Sequence, residues 1–68
     1  MSDWRKIVGV NVRARRLQLQ MTQEKLAFAA EVDLTYVGGI ERGKRNPSMI
    51  VLARIALAFG IHLAGLLR

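Results

Sequence analysis

The fold of this chain is decided by residues 22–48, which read "TQEKLAFAAEVDLTYVGGIERGKRNPS". Two short helical patterns lie in this stretch, separated by the turn "EV". Thr22 precedes the first pattern and Asp33 the second, and both side chains can accept hydrogen bonds from the unpaired amides of a helix start. The second pattern ends at Gly43, a residue suited to the left-handed conformation that closes many helices. The stretch therefore predicts two helices joined by a tight turn, over about residues 22–42.

The flanking segments are helical in pattern as well. Upstream, a cap at Ser2 or Asp3 predicts a first helix that runs to about Leu19. Downstream, "KRNP" is predicted to be a loop, and Asn46 or Ser48 is predicted to cap a fourth helix.

The fourth helix is predicted over residues 49–59, "MIVLARIALAF". It is apolar nearly all round except at Arg54, which favours a central place in the core. Gly60 is predicted to end it, and a last short helix covers about residues 63–67. No strand pattern occurs, so we expect one all-α domain over residues 1–68, a compact bundle of five helices.

Composition narrows the classes of function. The chain has 68 residues, no cysteine and one histidine, so disulfides are excluded and neither a metal site nor a cofactor is expected. Eleven basic and five acidic residues give a net charge of +6, which favours a polyanionic partner, either nucleic acid or an anionic membrane surface. The acidic residues are scattered and no nucleophile stands with a base, so an enzyme is not expected.

The apolar C-terminal stretch is predicted not to span a membrane. Its longest uncharged run, Ile55–Leu67, is shorter than the ~20 residues that a spanning helix needs. The N-terminus also lacks the apolar core of a secretory signal, so a cytoplasmic protein is expected.

At this point the sequence resembles the lambda-repressor-like family, the Cro and phage repressors. The resemblance lies in "VRARRLQLQMTQEKLA", "VDLTYVGGIERGKRNPS" and "LARIALAFGI", which follow in the family's order over most of the chain. It implies a sequence-specific, double-stranded-DNA-binding transcription regulator that acts as a homodimer on a palindromic operator. Phage repressors and small restriction-modification controller proteins are such regulators. An antitoxin that binds a toxin partner is the alternative, because antitoxins often share this fold.

The recognition helix is then expected over about residues 33–42, in the major groove. On a helical wheel the side that should face the groove carries five residues, Leu34, Thr35, Gly38, Gly39 and Arg42. Tyr36 lies at the edge of the opposite side. The resemblance implies base reading at Leu34, Thr35 and Gly39, with Gly38 alongside. Glycine offers a base no side chain. The pair either lets the backbone approach DNA closely or belongs to a tightly packed helix that reads nothing.

Phosphate contacts are implied at two places. The resemblance assigns one to Gln23 at the start of the second helix, where a helix N-terminus suits an anion. It assigns others to the loop residues Lys44, Arg45 and Asn46. The alternatives are an exposed glutamine and a solvated cluster of charges.

Two further sets are expected to be structural. The resemblance implies an ion pair between Arg16 and Glu41 that ties the first helix to the recognition helix. Glu31 and Gln20 stand where the family commonly has glycine, and a left-handed backbone would be strained at both.

The last helix supplies the expected dimer surface. It carries three leucines, Leu63, Leu66 and Leu67. The alternative is that these leucines close the core of the monomer.

Overall fold

The computed structural model describes residues 3–68, and within them the fold is all-α, as predicted. Its elements are α1 (Trp4–Gln18), α2 (Gln23–Ala30), α3 (Leu34–Glu41), α4 (Met49–Phe59) and a 3-10 helix (Leu63–Leu66). The predicted last short helix is present as a single 3-10 turn. None of these helices is both long enough and apolar enough to cross a membrane.

Each α-helix begins at a polar side chain that accepts a backbone hydrogen bond. These N-caps are Asp3, Thr22, Asp33 and Ser48, at 3.0 to 3.3 Å from the amides they accept. The predicted starts of α2 and α3 are thereby confirmed, and Ser48 is the cap of α4. Ser2, the alternative cap of α1, lies outside the described residues.

Helix ends are closed by left-handed residues, two of which are not glycine. Gly43 and Gly60 have φ of 72° and 70°, as their positions after α3 and α4 predict. Gln20 and Glu31 have φ of 56° and 57°, so they adopt the strained conformation expected there. An L-residue with a Cβ loses roughly 1–2 kcal/mol in this conformation.

The first and third helices meet at a glycine. A Cβ on Gly9 of α1 would collide with the carbonyl oxygens of Ile40 and Glu41 at the end of α3. Because those atoms belong to the backbone, they cannot rotate away. Gly9 therefore lets α1 and α3 approach more closely than any larger residue would allow.

Helix α4 is half buried, which corrects our prediction that it is central to the core. Leu52 and Ile55 point into the core, where Ile55 is fully buried. On the other side Met49, Ile50 and Leu57 remain 63%, 67% and 81% exposed. No other helix of residues 3–68 covers this side.

The 3-10 helix closes the bottom of the core. Leu66 is fully buried, so it belongs to the monomer and is not available to a dimer partner, contrary to the expected dimer surface. Leu63 and Leu67 are partly buried against the same core. The side-chain amide of Asn11 in α1 donates to the carbonyl oxygens of Leu66 and Arg68, at 3.0 and 2.8 Å.

Candidate nucleic-acid interface

The first turn of α3 is exposed while its second turn is anchored. Leu34 is 44% exposed, Thr35 is also exposed, and Tyr36 is half-buried. Val37 and Ile40 are fully buried in the core. A helix held this way can present its N-terminal side chains to a groove without losing its place in the fold.

The paired glycines of α3 are covered by neighbouring side chains. Gly38 and Gly39 are both buried. A Cβ on Gly38 would lie 3.1 Å from Nη1 of Arg42, and a Cβ on Gly39 would lie 2.5 Å from Cγ of Arg45. In this structure the glycines thus make room for two arginine side chains that cross the helix, which favours the tightly packed alternative.

The loop after α3 is bound to that helix through its backbone. The amides of Lys44 and Arg45 both donate to the carbonyl oxygen of Gly39, at 2.9 and 3.3 Å. The guanidinium carbon of Arg45 lies over the ring of Tyr36, 5.5 Å from its centroid. Lys44, Arg45 and Asn46 are all exposed, so the loop sets positive charge beside α3.

Behind α3, Arg16 and Glu41 form the buried ion pair that the family resemblance implies. Arg16 Nε and Nη2 donate to the two carboxylate oxygens of Glu41, at 2.7 and 3.1 Å, and Nη1 donates to the carbonyl oxygen of Met21 at 2.8 Å. The side chains are only 10% and 3% exposed. Hydrogen bonding to Glu41 raises the pKa of Arg16 further, against an opposing effect of burial, so its charge is permanent.

Gln23 joins this pair from the start of α2. Its side-chain Nε2 donates to Oε1 of Glu41 at 3.0 Å. A carboxylate only accepts hydrogen bonds, so this contact fixes the orientation of the amide group. The sequence contains no signal for this contact, because it joins residues 18 positions apart on different helices.

The structure brings most of the predicted site residues to one region and leaves others apart. Gln23 and Arg42 flank Gly38, and Arg45 lies over Gly39. Of the three leucines of the predicted dimer surface, Leu66 lies wholly in the core, whereas Leu63 and Leu67 pack at its edge and stay partly exposed.

Known proteins with similar sequences and structures are named as regulators. A helix-turn-helix family model matches residues 12–66. The control protein C.BamHI of Bacillus amyloliquefaciens is 42% identical over 59 residues, which cover 85% of this chain and 73% of that protein. The uncharacterised HTH-type transcriptional regulator y4dJ of Sinorhizobium fredii is 37% identical over 59 residues, 87% of this chain and 77% of that protein. The crystal structure of the restriction-modification controller protein C.AhdI from Aeromonas hydrophila matches with a TM-score of 0.89 at 37% identity, over 91% of this chain and 94% of that one.

Proposed function

Because this chain belongs to the helix-turn-helix family and is a DNA-binding transcription regulator, we propose that it inserts α3 into the major groove as a homodimer on a palindromic operator. In helix-turn-helix proteins the N-terminal residues of the second helix contact base edges. The corresponding exposed residues here are Leu34 and Thr35. Leu34 suits the methyl group of thymine, and the hydroxyl of Thr35 can bond to several bases.

The observation that carries this proposal is the contrast between the two sides of α3. One side is held by buried apolar contacts and by the ion pair of Glu41 with Arg16. The other is bordered by the exposed cations Arg42, Lys44 and Arg45. Such cations neutralise phosphates, and a rigid helix between them fixes which bases are contacted.

The amide of Gln23 supports a phosphate contact at the start of α2. One of its N–H groups is used by Glu41, which holds the side chain in place, and the second remains to donate. The first amides of α2 add the positive end of its dipole. We infer that Gln23 binds phosphate in a fixed orientation set by Glu41.

We propose that the dimer forms through the exposed side of α4, here called the α4 outer face (Met49, Ile50, Ala53 and Leu57). These residues form one continuous arc on the helix, with Arg54 at its edge. In a two-fold symmetric dimer the same face of both copies forms the interface. The uncharged residues of one copy would then pack against the same residues of the other. Contiguous exposed apolar surface of this kind marks interaction sites.

We also propose a more specific role, that of a regulator of the restriction-modification controller type. The match with C.AhdI extends over nearly the full length of both chains, so the controller has a counterpart for almost every residue here. Nothing in the names of the relatives described above supports the antitoxin alternative. A duplex from upstream of the protein's own gene is therefore an informative ligand beside random sequence.

The test is selection of binding sites from a random duplex library at about 150 mM salt, where nonspecific phosphate binding is already weakened. We expect a palindrome whose half-sites are about one helical turn apart. Thr35→Ala should relax the selected half-site. Arg15→Ala, which removes an exposed charge of α1, should leave the selected sequence unchanged. Binding without any enriched sequence would contradict the proposal.

A further inference from the structure

The side of α3 that would face the major groove is poor in side chains able to distinguish bases. Its second turn has Gly38 and Gly39 in succession, and Leu34 offers only apolar contact. Discrimination of guanine needs two donors held in one plane, as an arginine supplies. No side chain of α3 lies over Gly39. That space is occupied by the side chain of Arg45, from the loop that follows the helix.

Arg45 occupies the position where a side chain on Gly39 would stand. Its Cγ lies 2.5 Å from the ideal Cβ of Gly39, and its Cδ and Nε lie 3.5 Å from the same point. Its own amide donates to the carbonyl oxygen of Gly39, which keeps the start of the side chain beside the helix. The arginine therefore leaves the loop and crosses α3 as though it were a residue of that helix.

The guanidinium of Arg45 is directed toward the first turn of α3. It lies over Tyr36, the neighbour of the exposed Thr35, with 5.5 Å between Cζ and the ring centroid. An arginine over an aromatic ring is attracted to its face and keeps its planar donors in a defined orientation. Within residues 3–68 the Arg45 side chain makes no hydrogen bond or ion pair, so its donors are available to DNA.

We propose that Arg45, although it belongs to the loop, reads a guanine edge in the major groove in place of the side chain that Gly39 lacks. This inference rests on the proposed function, because it assumes that α3 enters the groove. The two outer donors of the guanidinium pair with O6 and N7 of guanine, the contact that arginine makes most often with a base. Arg45 is then a specificity-determining residue, and Gly39 and Tyr36 position it.

The phosphate contact that the resemblance implies for Arg45 would not require the observed side-chain arrangement. A phosphate contact needs only positive charge and carries no sequence information. It would not require the side chain to cross Gly39, nor the guanidinium to lie over the ring of Tyr36. Lys44, one residue earlier and equally exposed, has the position of a simple phosphate contact.

The experiment compares Arg45→Ala with Lys44→Ala, since each variant removes one positive charge from the same loop. Affinity is measured by fluorescence anisotropy on the selected operator and on duplexes in which each base pair is replaced singly. We expect Arg45→Ala to abolish discrimination at one guanine-containing pair per half-site, where the wild type discriminates by roughly 5- to 150-fold. Lys44→Ala should weaken binding to all duplexes by the same factor.

A second pair of variants tests the position of Arg45 without changing any charge. Gly39→Ala places a Cβ against Cγ of Arg45 and should displace the arginine, so it should lose the same discrimination as Arg45→Ala. Gly38→Ala is the matched control, because its Cβ meets the ends of the Arg42 and Gln23 side chains, at 3.1 and 3.8 Å, and does not meet Arg45. It can change overall affinity, but it should keep the discrimination at the guanine-containing pair. Both variants replace a helical glycine by alanine, which favours the helix, so folding is not at risk.

The outcomes separate this inference from the proposed function. If the wild type selects an operator but Arg45→Ala weakens all duplexes equally, Arg45 contacts phosphate and the inference is overturned, while the proposed function stands. An operator with no guanine-dependent pair overturns it in the same way. If the wild type selects no operator at all, both fail together.

Discussion

At the scale of single residues, Glu41 links three helices. It accepts two hydrogen bonds from Arg16 of α1 and one from Gln23 of α2, and it stands at the end of α3. Its side chain is almost wholly buried. One carboxylate thereby sets the position of the recognition helix and the orientation of the glutamine proposed to bind phosphate.

We predict that Glu41→Ala strongly destabilises the domain. It would leave the guanidinium of Arg16 buried without its partner, which costs about 3–5 kcal/mol. In a domain of this size that corresponds to a loss of roughly 12 °C or more in the melting temperature. Circular dichroism measures this directly.

Two variants make the result specific. Glu24→Gln, an exposed carboxylate on α2, should change the melting temperature little. Replacing both partners by apolar residues, Arg16→Met with Glu41→Leu, should recover much of the loss, because no charge is left buried. An unchanged melting temperature for Glu41→Ala would show that the pair does not stabilise the fold.

Residues also show where prediction from sequence succeeds. The caps Thr22, Asp33 and Ser48 act on amides three residues ahead, so the local sequence contains the whole interaction. The placement of Arg45 over Gly39 depends on how a loop folds back on a helix, and the spacing of the two residues in the sequence does not predict it. Gln23 differs again: its place at a helix start was predicted, but its bond to Glu41 joins helices that only the tertiary fold brings together.

At the scale of elements, the approach of α1 to α3 depends on one glycine. The space above Gly9 is taken by carbonyl oxygens of α3, so the backbones of the two helices are in direct contact at this glycine. The orientation of α3, and therefore of its exposed first turn, is set by this contact as well as by the ion pair.

We predict that Gly9→Ala lowers stability and weakens DNA binding. The added methyl group forces α1 and α3 apart, which costs about 1–3 kcal/mol, against a gain of about 1 kcal/mol in helix propensity. Urea unfolding and operator titration measure the two effects. Gly38→Ala is the comparison, because the same propensity gain there meets no backbone atom. Equal stability of the two variants would contradict the close contact.

Element boundaries were predicted well, but the orientation of α4 was not. Met49–Phe59 is the predicted range, since Ser48 and Gly60 mark its ends locally. The exposure of Leu57 was missed because an all-apolar helix has no polar side by which its outer face can be recognised. For Leu66 the sequence leaves two alternatives, the core of the monomer and a dimer interface, because leucines are common in both.

At the scale of the whole molecule, the cations that border α3 and the apolar α4 outer face belong to different segments of the chain. Exposed cations border α3, whereas the α4 outer face carries uncharged side chains with Arg54 at its edge. This separation leaves the α4 outer face clear of DNA in the proposed dimer.

We predict that Leu57→Glu converts a dimer into a folded monomer. Leu57 is 81% exposed, so the change does not disturb the core, but it sets two like charges near the two-fold axis of the proposed dimer. Analytical ultracentrifugation should give twice the 7.6 kDa chain mass for the wild type and a single chain mass for the variant. Leu17→Glu, an exposed leucine on α1, should remain dimeric. Loss of the dimer in Leu17→Glu alone would move the interface to α1.

The amide of Asn11 has a consequence for how the chain comes apart. By holding the carbonyls of Leu66 and Arg68 against α1, it fastens the end of the chain to its first helix. Residues 66–68 are therefore held against α1, and the last turn opens only if Leu66 leaves the core. A protease that cuts within residues 63–67 needs this local opening first, so we expect Asn11→Ala to be cut there faster than the wild type.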